Sequence, residues 1–225
     1  MKKDINILLI DDHPSILEAY EIALKSIGCN RSRFNFKIQK ASDCDSAFAK
    51  VKKSLNRNKI DAIILDISFN KTIKSEFIDG EDLGIKIKQL LPDVKIIVNT
   101  SHNSNYRMNA IIRNLNPLGF LVKGDVTAKV LQTAILTICK GKPYYSETVL
   151  QLLQKRNNSE YVLDKIDRQI LYELSIGTRI KTLPTIIDLS LSGIEKRRYH
   201  LKEILNIHSS GNRELIQKAK EMGFI

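Results

Sequence analysis

The sequence predicts an α/β fold, a doubly wound five-stranded parallel sheet, followed by a small all-α domain. Three observations carry this expectation. Short apolar runs alternate with amphipathic stretches as far as residue 140, and repeated βα units place helices on both faces of a parallel sheet. From residue 161 onward only helical patterns remain. Finally, successive apolar runs stop at polar residues of one chemical set: Asp11 and Asp12 after INILLI, Asp66 after DAIIL, Thr100 after KIIVN and Lys123 after GFLV.

The strands are expected at 5–10, 35–40, 61–66, 95–99 and 118–122, with helices at 14–28, 43–55, 80–91, 104–114 and 126–140. In the first helix Ile16, Ala19, Tyr20, Ala23, Leu24 and Ile27 fall on one face and Gly28 ends it. Pro14 sits at its start, where a missing N–H costs nothing. Between Asp66 and Gly80 the stretch SFNKTIKSEFID is long and polar for a βα loop, and it is expected to bulge into solvent rather than cover the strand ends. Beyond Gly141, PYYSETVLQLLQ reads as one more short helix and KRNNSE as a polar linker, rich in turn formers. Four helices follow, at about 164–175, 182–189, 192–205 and 212–222.

With 225 residues, 43% of them hydrophobic and 27% charged, the chain has the composition of a soluble globular protein with room for two cores. The net charge of +11 is spread over both halves. It fits a polyanionic partner such as nucleic acid and a lysine-rich genome equally well. Cys29, Cys44 and Cys139 form no CxxC pair and have no histidine at ligand spacing. They read as small buried hydrophobes in a reducing compartment. The apolar run after Lys2 and Lys3 stops after six residues at two aspartates, too short for a secretion signal. No stretch approaches the roughly 18 apolar residues of a membrane span. A cytoplasmic protein without a membrane partner is expected.

Acids at strand ends of one sheet share an edge, where open α/β sheets carry their sites. Mg²⁺ takes hard oxygen ligands, which Asp11 and Asp12 can supply. Asp66, central in the sheet, can serve both as ligand and as nucleophile, since a carboxylate attacking a phosphoryl donor gives an acyl phosphate. Lys123 would then neutralise phosphoryl oxygens as a point charge, and the Thr100 hydroxyl would donate to another. Singly, each of these residues reads as an ordinary solvated loop residue; together, on successive strand ends, they point to phosphoryl chemistry.

IDDHPSILEAY, AIILDIS, IIVNTSH and GFLVKGD resemble the receiver domain of bacterial two-component response regulators, over residues 5 to about 140. The resemblance implies strand order 2-1-3-4-5 and phosphorylation of Asp66 by a sensor histidine kinase. It also implies that Asp12 is a direct Mg²⁺ ligand, that Asp11 acts largely through water, and that the Ser68 carbonyl completes the set. Thr100 matches the family's switch hydroxyl, Lys123 its phosphate-binding lysine, and Phe120 the aromatic that swings inward on activation. Two features depart from the pattern: the loop after Asp66 is about six residues longer than usual, and Asn99 replaces the usual apolar residue before the threonine. Phosphorylation adds roughly −1.5 to −2 charges, and drawing the Thr100 hydroxyl toward a phosphoryl oxygen would vacate space for Phe120. The surface over residues 100–122 is the expected dimerisation face.

The tail reads as a helix-turn-helix. In LSLSGIEKRRYHLKEIL, Ser192 is expected to cap a helix with Glu195 completing a capping box, and Ile194, Leu201 and Leu205 to face inward. TLPTIIDL supplies a short, proline-initiated helix before it, and the Ser190–Ser192 stretch the turn. A second helix with cationic and aromatic side chains suits a major groove. With the closing helix NRELIQKAKEMGF, the arrangement resembles the LuxR-type DNA-binding domain of transcriptional response regulators. Gly177, Leu183, Ser190 and Ile194 fall on its signature positions, whereas Pro184, Gly193 and Arg197 depart from it. That resemblance implies that Lys196 and Tyr199 point to base edges, with Arg197 and His200 next, and that Lys181, Arg198 and Lys202 meet phosphates.

The expected organisation is therefore a phosphoacceptor domain over 1–140, a linker with a short helix over 141–160 and a helix-turn-helix domain over 161–225. The expected protein is no metabolic enzyme but a phosphorylation-switched regulator of transcription, a homodimer on double-stranded DNA when phosphorylated. Two other readings compete. Haloacid-dehalogenase-type phosphatases also use an aspartate nucleophile with Mg²⁺, but they place a second acid two residues on, where this chain has Ser68. Alternatively the C-terminal helices bind a protein partner instead of DNA.

Overall fold

A computed structural model of the chain describes residues 2–29, 33–56, 59–68, 75–101, 105–154, 163–208, 211–222 and 224. Its sheet has six parallel strands in the order β2-β1-β3-β4-β5-β6: β1 Lys3–Ile10, β2 Phe34–Ala41, β3 Ala62–Asp66, β4 Lys95–Thr100, β5 Gly119–Val122 and β6 Tyr144–Tyr145. The five expected strands stand within one to two residues of their predicted bounds. The sixth is a correction. Tyr144 and Tyr145 pair in parallel with Gly119 and Phe120, too short a run to carry a periodic signature.

Burial follows position in the sheet. β2, at the edge, alternates between exposed and half-buried residues along most of its length, whereas all five residues of β3 are buried. A central strand covered by helices on both faces must be apolar on both, which is what AIIL supplies. The helices α1 Pro14–Cys29, α2 Cys44–Ser54, α3 Gly80–Leu90, α4 Asn105–Leu115, α5 Ala128–Cys139 and α6 Glu147–Gln154 follow in order. Side-chain caps fix several starts: Asp43, Asp79 and Thr127 accept from the N–H three residues on, in α2, α3 and α5, each satisfying a donor that the first turn leaves orphaned. In α1 the buried stripe is Leu17, Tyr20, Ala23, Leu24 and Ile27, with Ile16 half-buried. Ala19, expected on that face, is exposed, and the helix runs to Cys29, one residue past Gly28.

The chain divides into two compact units, one of residues 1–103 with 115–156, the other of 104–114 with 157–225. In the second, α7 Lys165–Ser175, a 3₁₀ helix Ile180–Thr185, α8 Leu191–Ile204 and α9 Arg213–Glu221 enclose Ile170, Leu171, Leu183, Ile194, Leu201 and Leu215, all with 0% exposure. Gly177 takes φ +90° after α7, a left-handed value that glycine adopts without penalty.

Two local expectations need correcting. The helix expected over 182–189 is instead a 3₁₀ helix, Ile180–Thr185, with Pro184 inside it; proline withholds the N–H that an α-helical turn would use there. The cap of α8 is Ser190, not Ser192: its Oγ accepts from Gly193 N at 3.2 Å. The capping box forms instead at α7, between Asp164 and Asp167. The loop expected over 68–79 lies partly outside the described residues, at 69–74, and the linker KRNNSE lies outside them entirely.

Candidate functional site

Period-two alternation builds the site. Leu9, Ile64, Ile97 and Leu121 belong to the core under α1 and α5. Two residues further along each chain segment come Asp11, Asp66, Asn99 and Lys123, carried by the same parity to the same face. An apolar layer is thereby followed at the carboxyl edge by a polar one. Asp11 and Asp66 are each 2% exposed.

Lys123, in a 3₁₀ turn just past β5, places its Nζ 2.8 Å from Asp11 Oδ2 and 2.7 Å from Asp66 Oδ2. Burial works against the ammonium, but the hydrogen bonds to the two carboxylates outweigh it and hold the lysine pKa above its ordinary value. The other oxygen of Asp66, Oδ1, accepts the Ser68 N–H at 2.9 Å. The Ser68 hydroxyl lies 3.4 Å from that of Thr100, which is fully buried at the end of β4. Phe120, on β5, is also fully buried.

Asp12 and His13 complete the edge. His13 Nδ1 is 2.7 Å from Asp12 Oδ1 and 3.2 Å from Asp11 Oδ1. Asp11, Asp12, His13 and Asp66 each offer a ligand atom within 4.8 Å of the others. Three carboxylates in that compass are the hard oxygen donors a divalent cation takes, so the residues fit such an ion. His13, which directly follows the acid pair, carries no sequence signal of its own for this cluster.

Behind this edge lies a feature visible in the sequence only as the odd Asn99. Asn99, paired in register with Asp66 on one side and Leu121 on the other, is 1% exposed, and its Nδ2 donates to the Tyr20 hydroxyl from α1. Burial, opposed by the positive charge of Lys123, pushes the Tyr20 phenol up to about 12.

The residues predicted to meet nucleic acid are placed differently from one another. Lys196, Tyr199 and His200 are exposed on α8, and Lys181 is exposed on the 3₁₀ helix. Arg197 instead turns its Nη1 to Asp164 Oδ2 at 2.8 Å and Asp167 Oδ1 at 2.9 Å. Arg198 donates to Asn212 Oδ1 at 3.0 Å. Lys202 is 7% exposed, and burial, aided by the neighbouring Arg198 charge, lowers its pKa. The structure thus separates an outward set from cations engaged within their own unit. Helical spacing alone could not draw that line, because the partners Asp164, Asp167 and Asn212 lie in or at the start of other helices.

Comparisons with known proteins agree with this geometry. The family model for the response regulator receiver domain matches residues 7–135. Response regulator UvrY of Escherichia coli strain K12 is 25% identical over 226 residues, covering 97% of this chain and 95% of its own. Transcriptional regulatory protein MctR of Rhizobium johnstonii is 23% identical over 224 residues, covering 98% and 95%. Among solved structures, the RcsB response regulator of Salmonella typhimurium superposes with a TM-score of 0.67 at 21% identity, over 99% of both chains. An RcsB–DNA complex does so with a TM-score of 0.61 at 20% identity, over 98% of this chain and 100% of that one. No described helix is long and apolar enough to cross a membrane.

Proposed function

Because the chain belongs to the response regulator receiver domain family, we propose that Asp66 accepts a phosphoryl group from a sensor histidine kinase and that this switches DNA binding by the C-terminal helices. The observation that carries the reading is the Lys123 ammonium spanning Asp11 and Asp66 at 2.8 and 2.7 Å, on an edge with acids enough for a divalent cation.

In the transfer, a carboxylate oxygen of Asp66 attacks phosphorus. The bond between phosphorus and the donor breaks, and the donor leaves with that electron pair. Lys123 then faces phosphoryl oxygens in place of a free carboxylate, and the Thr100 hydroxyl, now near Ser68, has a stronger acceptor available. Mg²⁺, held by Asp11, Asp12 and Asp66 with the Ser68 carbonyl, would supply neutralising charge for the incoming phosphoryl group. Phe120 is already inside the fold, so in this conformation the switch lies in which neighbours Thr100 keeps. The receiver performs only its own phosphorylation and dephosphorylation and is otherwise a regulator.

For the output, the RcsB relatives described as bound to DNA, one as two dimers on two DNAs, support a homodimer on double-stranded DNA. Lys196, Tyr199 and His200 are the base-reading set, and Lys181 a phosphate contact. Arg197, Arg198 and Lys202 act through the fold of their unit. A reducing, cytoplasmic setting suits free thiols such as Cys44.

Two experiments test this. Acetyl phosphate with Mg²⁺ should label the wild-type chain and not Asp66→Asn; persistent label in the variant would refute the acceptor assignment. Gel shifts with genomic DNA fragments, with and without the donor, should show binding that the donor strengthens. Binding absent under both conditions would refute the DNA reading.

A further inference from the structure

The Tyr20–Asn99 pair has no role in the transfer described above, yet it sits on the same polar layer. Asn99 is 1% exposed, and its Oδ1 has no hydrogen-bond partner among the described residues. A buried amide oxygen left unsatisfied is destabilising, and valine at this strand position would carry no such cost. Its place in the register, beside Asp66 and two residues short of the level of Lys123, puts Asn99 on the same face of the sheet as both. An ammonium has three donors, and Lys123 gives two of them to Asp11 and Asp66.

We propose that Asn99, oriented by its bond to the Tyr20 hydroxyl, is a positioning residue for Lys123, its amide oxygen offering the ammonium a third acceptor. This inference rests on the reading of Asp66 as phosphoryl acceptor. When the Asp66 carboxylate is converted to an acyl phosphate, its charge moves outward and the ammonium is free to follow. A fixed acceptor on the sheet side limits how far it travels, and so sets where it meets the phosphoryl oxygens. Tyr20 holds the amide in one orientation, and the positive charge of Lys123 is felt at its phenol.

The test uses the full chain with Asn99→Val, Tyr20→Phe and the double variant. Valine is a strong strand former, and phenylalanine keeps the ring. Each single change should slow labelling by acetyl phosphate and Mg²⁺ by about threefold to tenfold, the worth of one hydrogen bond. The double variant should be no slower than the worse single one, because the two residues act as a unit. The second readout is the ¹⁵N resonance of the Lys123 ammonium, assigned with Lys123→Arg, which should move in both single variants. Wild-type labelling rates with an unmoved resonance would overturn the proposal. So would slower labelling that tracks a fall in melting temperature while the resonance stays put. A wild-type chain that takes no label, or label that persists in Asp66→Asn, would overturn the Asp66 reading instead, and the resonance would still decide the pair.

Discussion

A Cβ atom placed on Gly80 would stand 2.1 Å from the backbone carbonyl oxygen of Asp66 and 2.8 Å from the Cα of Ile67. The first residue of α3 is therefore pressed against the very peptide that carries the acceptor carboxylate, and Gly80 N closes the contact by donating to Ile67 O at 3.2 Å. Neither neighbour is a flexible side-chain tip. Backbone would have to move.

Gly80→Ala should accordingly displace the end of β3, costing about 1–3 kcal/mol of stability as overpacking does. It should also slow acetyl phosphate labelling beyond what that loss explains, because Asp66 Oδ2 would shift relative to Lys123. Gly211, with open space around it, gives the control, and its alanine variant should melt within about 0.5 kcal/mol of wild type. Equal labelling rates in Gly80→Ala and wild type would show that the strand end is free to give.

Arg197 and Lys196 are neighbours in sequence with opposite expected phenotypes. Asp167 is 1% exposed and meets Arg197 Nη1 at 2.9 Å, so Arg197→Ala takes a charge partner from a buried carboxylate. Because the Arg197 side chain is itself one-third exposed, the cost should fall below that of a fully buried pair, at about 1–3 kcal/mol. It should appear as a lower melting temperature. Lys196→Ala should leave melting unchanged and lower DNA affinity across salt concentrations. If Arg197→Ala melts like wild type and Lys196→Ala does not, the division of α8 into inward and outward cations is wrong.

Much of this architecture is legible in the sequence because its physics is local. The apolar runs, their polar ends and the helical stripes of α1 and α8 are periodic signals, and period two alone places Asp11, Asp66 and Lys123 on one face. What escapes the sequence is pairwise and distant. Tyr20 meets Asn99 across 79 residues, and Arg197 meets Asp164 across 33. Nothing in either local window marks the partner. β6 is hidden for another reason: two residues are too few to show alternation, and only the edge of β5 makes Tyr144 and Tyr145 a strand. The α8 cap falls at Ser190, two residues before the expected Ser192, where its hydroxyl accepts the Gly193 N–H.

The acid cluster predicts a stability response to divalent cations. An ion bound by the folded chain alone stabilises it by RT ln(1 + [L]/Kd), about 2.7 kcal/mol at a hundredfold excess over Kd. Titrating Mg²⁺ should raise the melting temperature of wild type, chelation should reverse the rise, and Asp12→Asn should blunt it. A rise of equal size in Asp12→Asn would remove that carboxylate from the ligand set.

The Tyr20 phenol predicts an alkaline limit to stability. In the unfolded chain a phenol ionises near pH 10; in the fold, burial raises this one to about 12. Between those values the folded state keeps a proton that the unfolded state has released. Its contribution is therefore complete below about pH 10 and drains away as pH rises toward 12, by up to about 3 kcal/mol. Lys123, whose pKa is also raised, acts in the same direction. Tyr20→Phe has no proton to lose, so its melting temperature should fall less steeply with pH over this window than that of wild type. An ultraviolet titration should show one of the seven tyrosines ionising later than the main group, with that late step missing in the variant. Parallel melting curves for the two proteins up to pH 12 would mean that water reaches the Tyr20 hydroxyl and that the pair with Asn99 is not sealed.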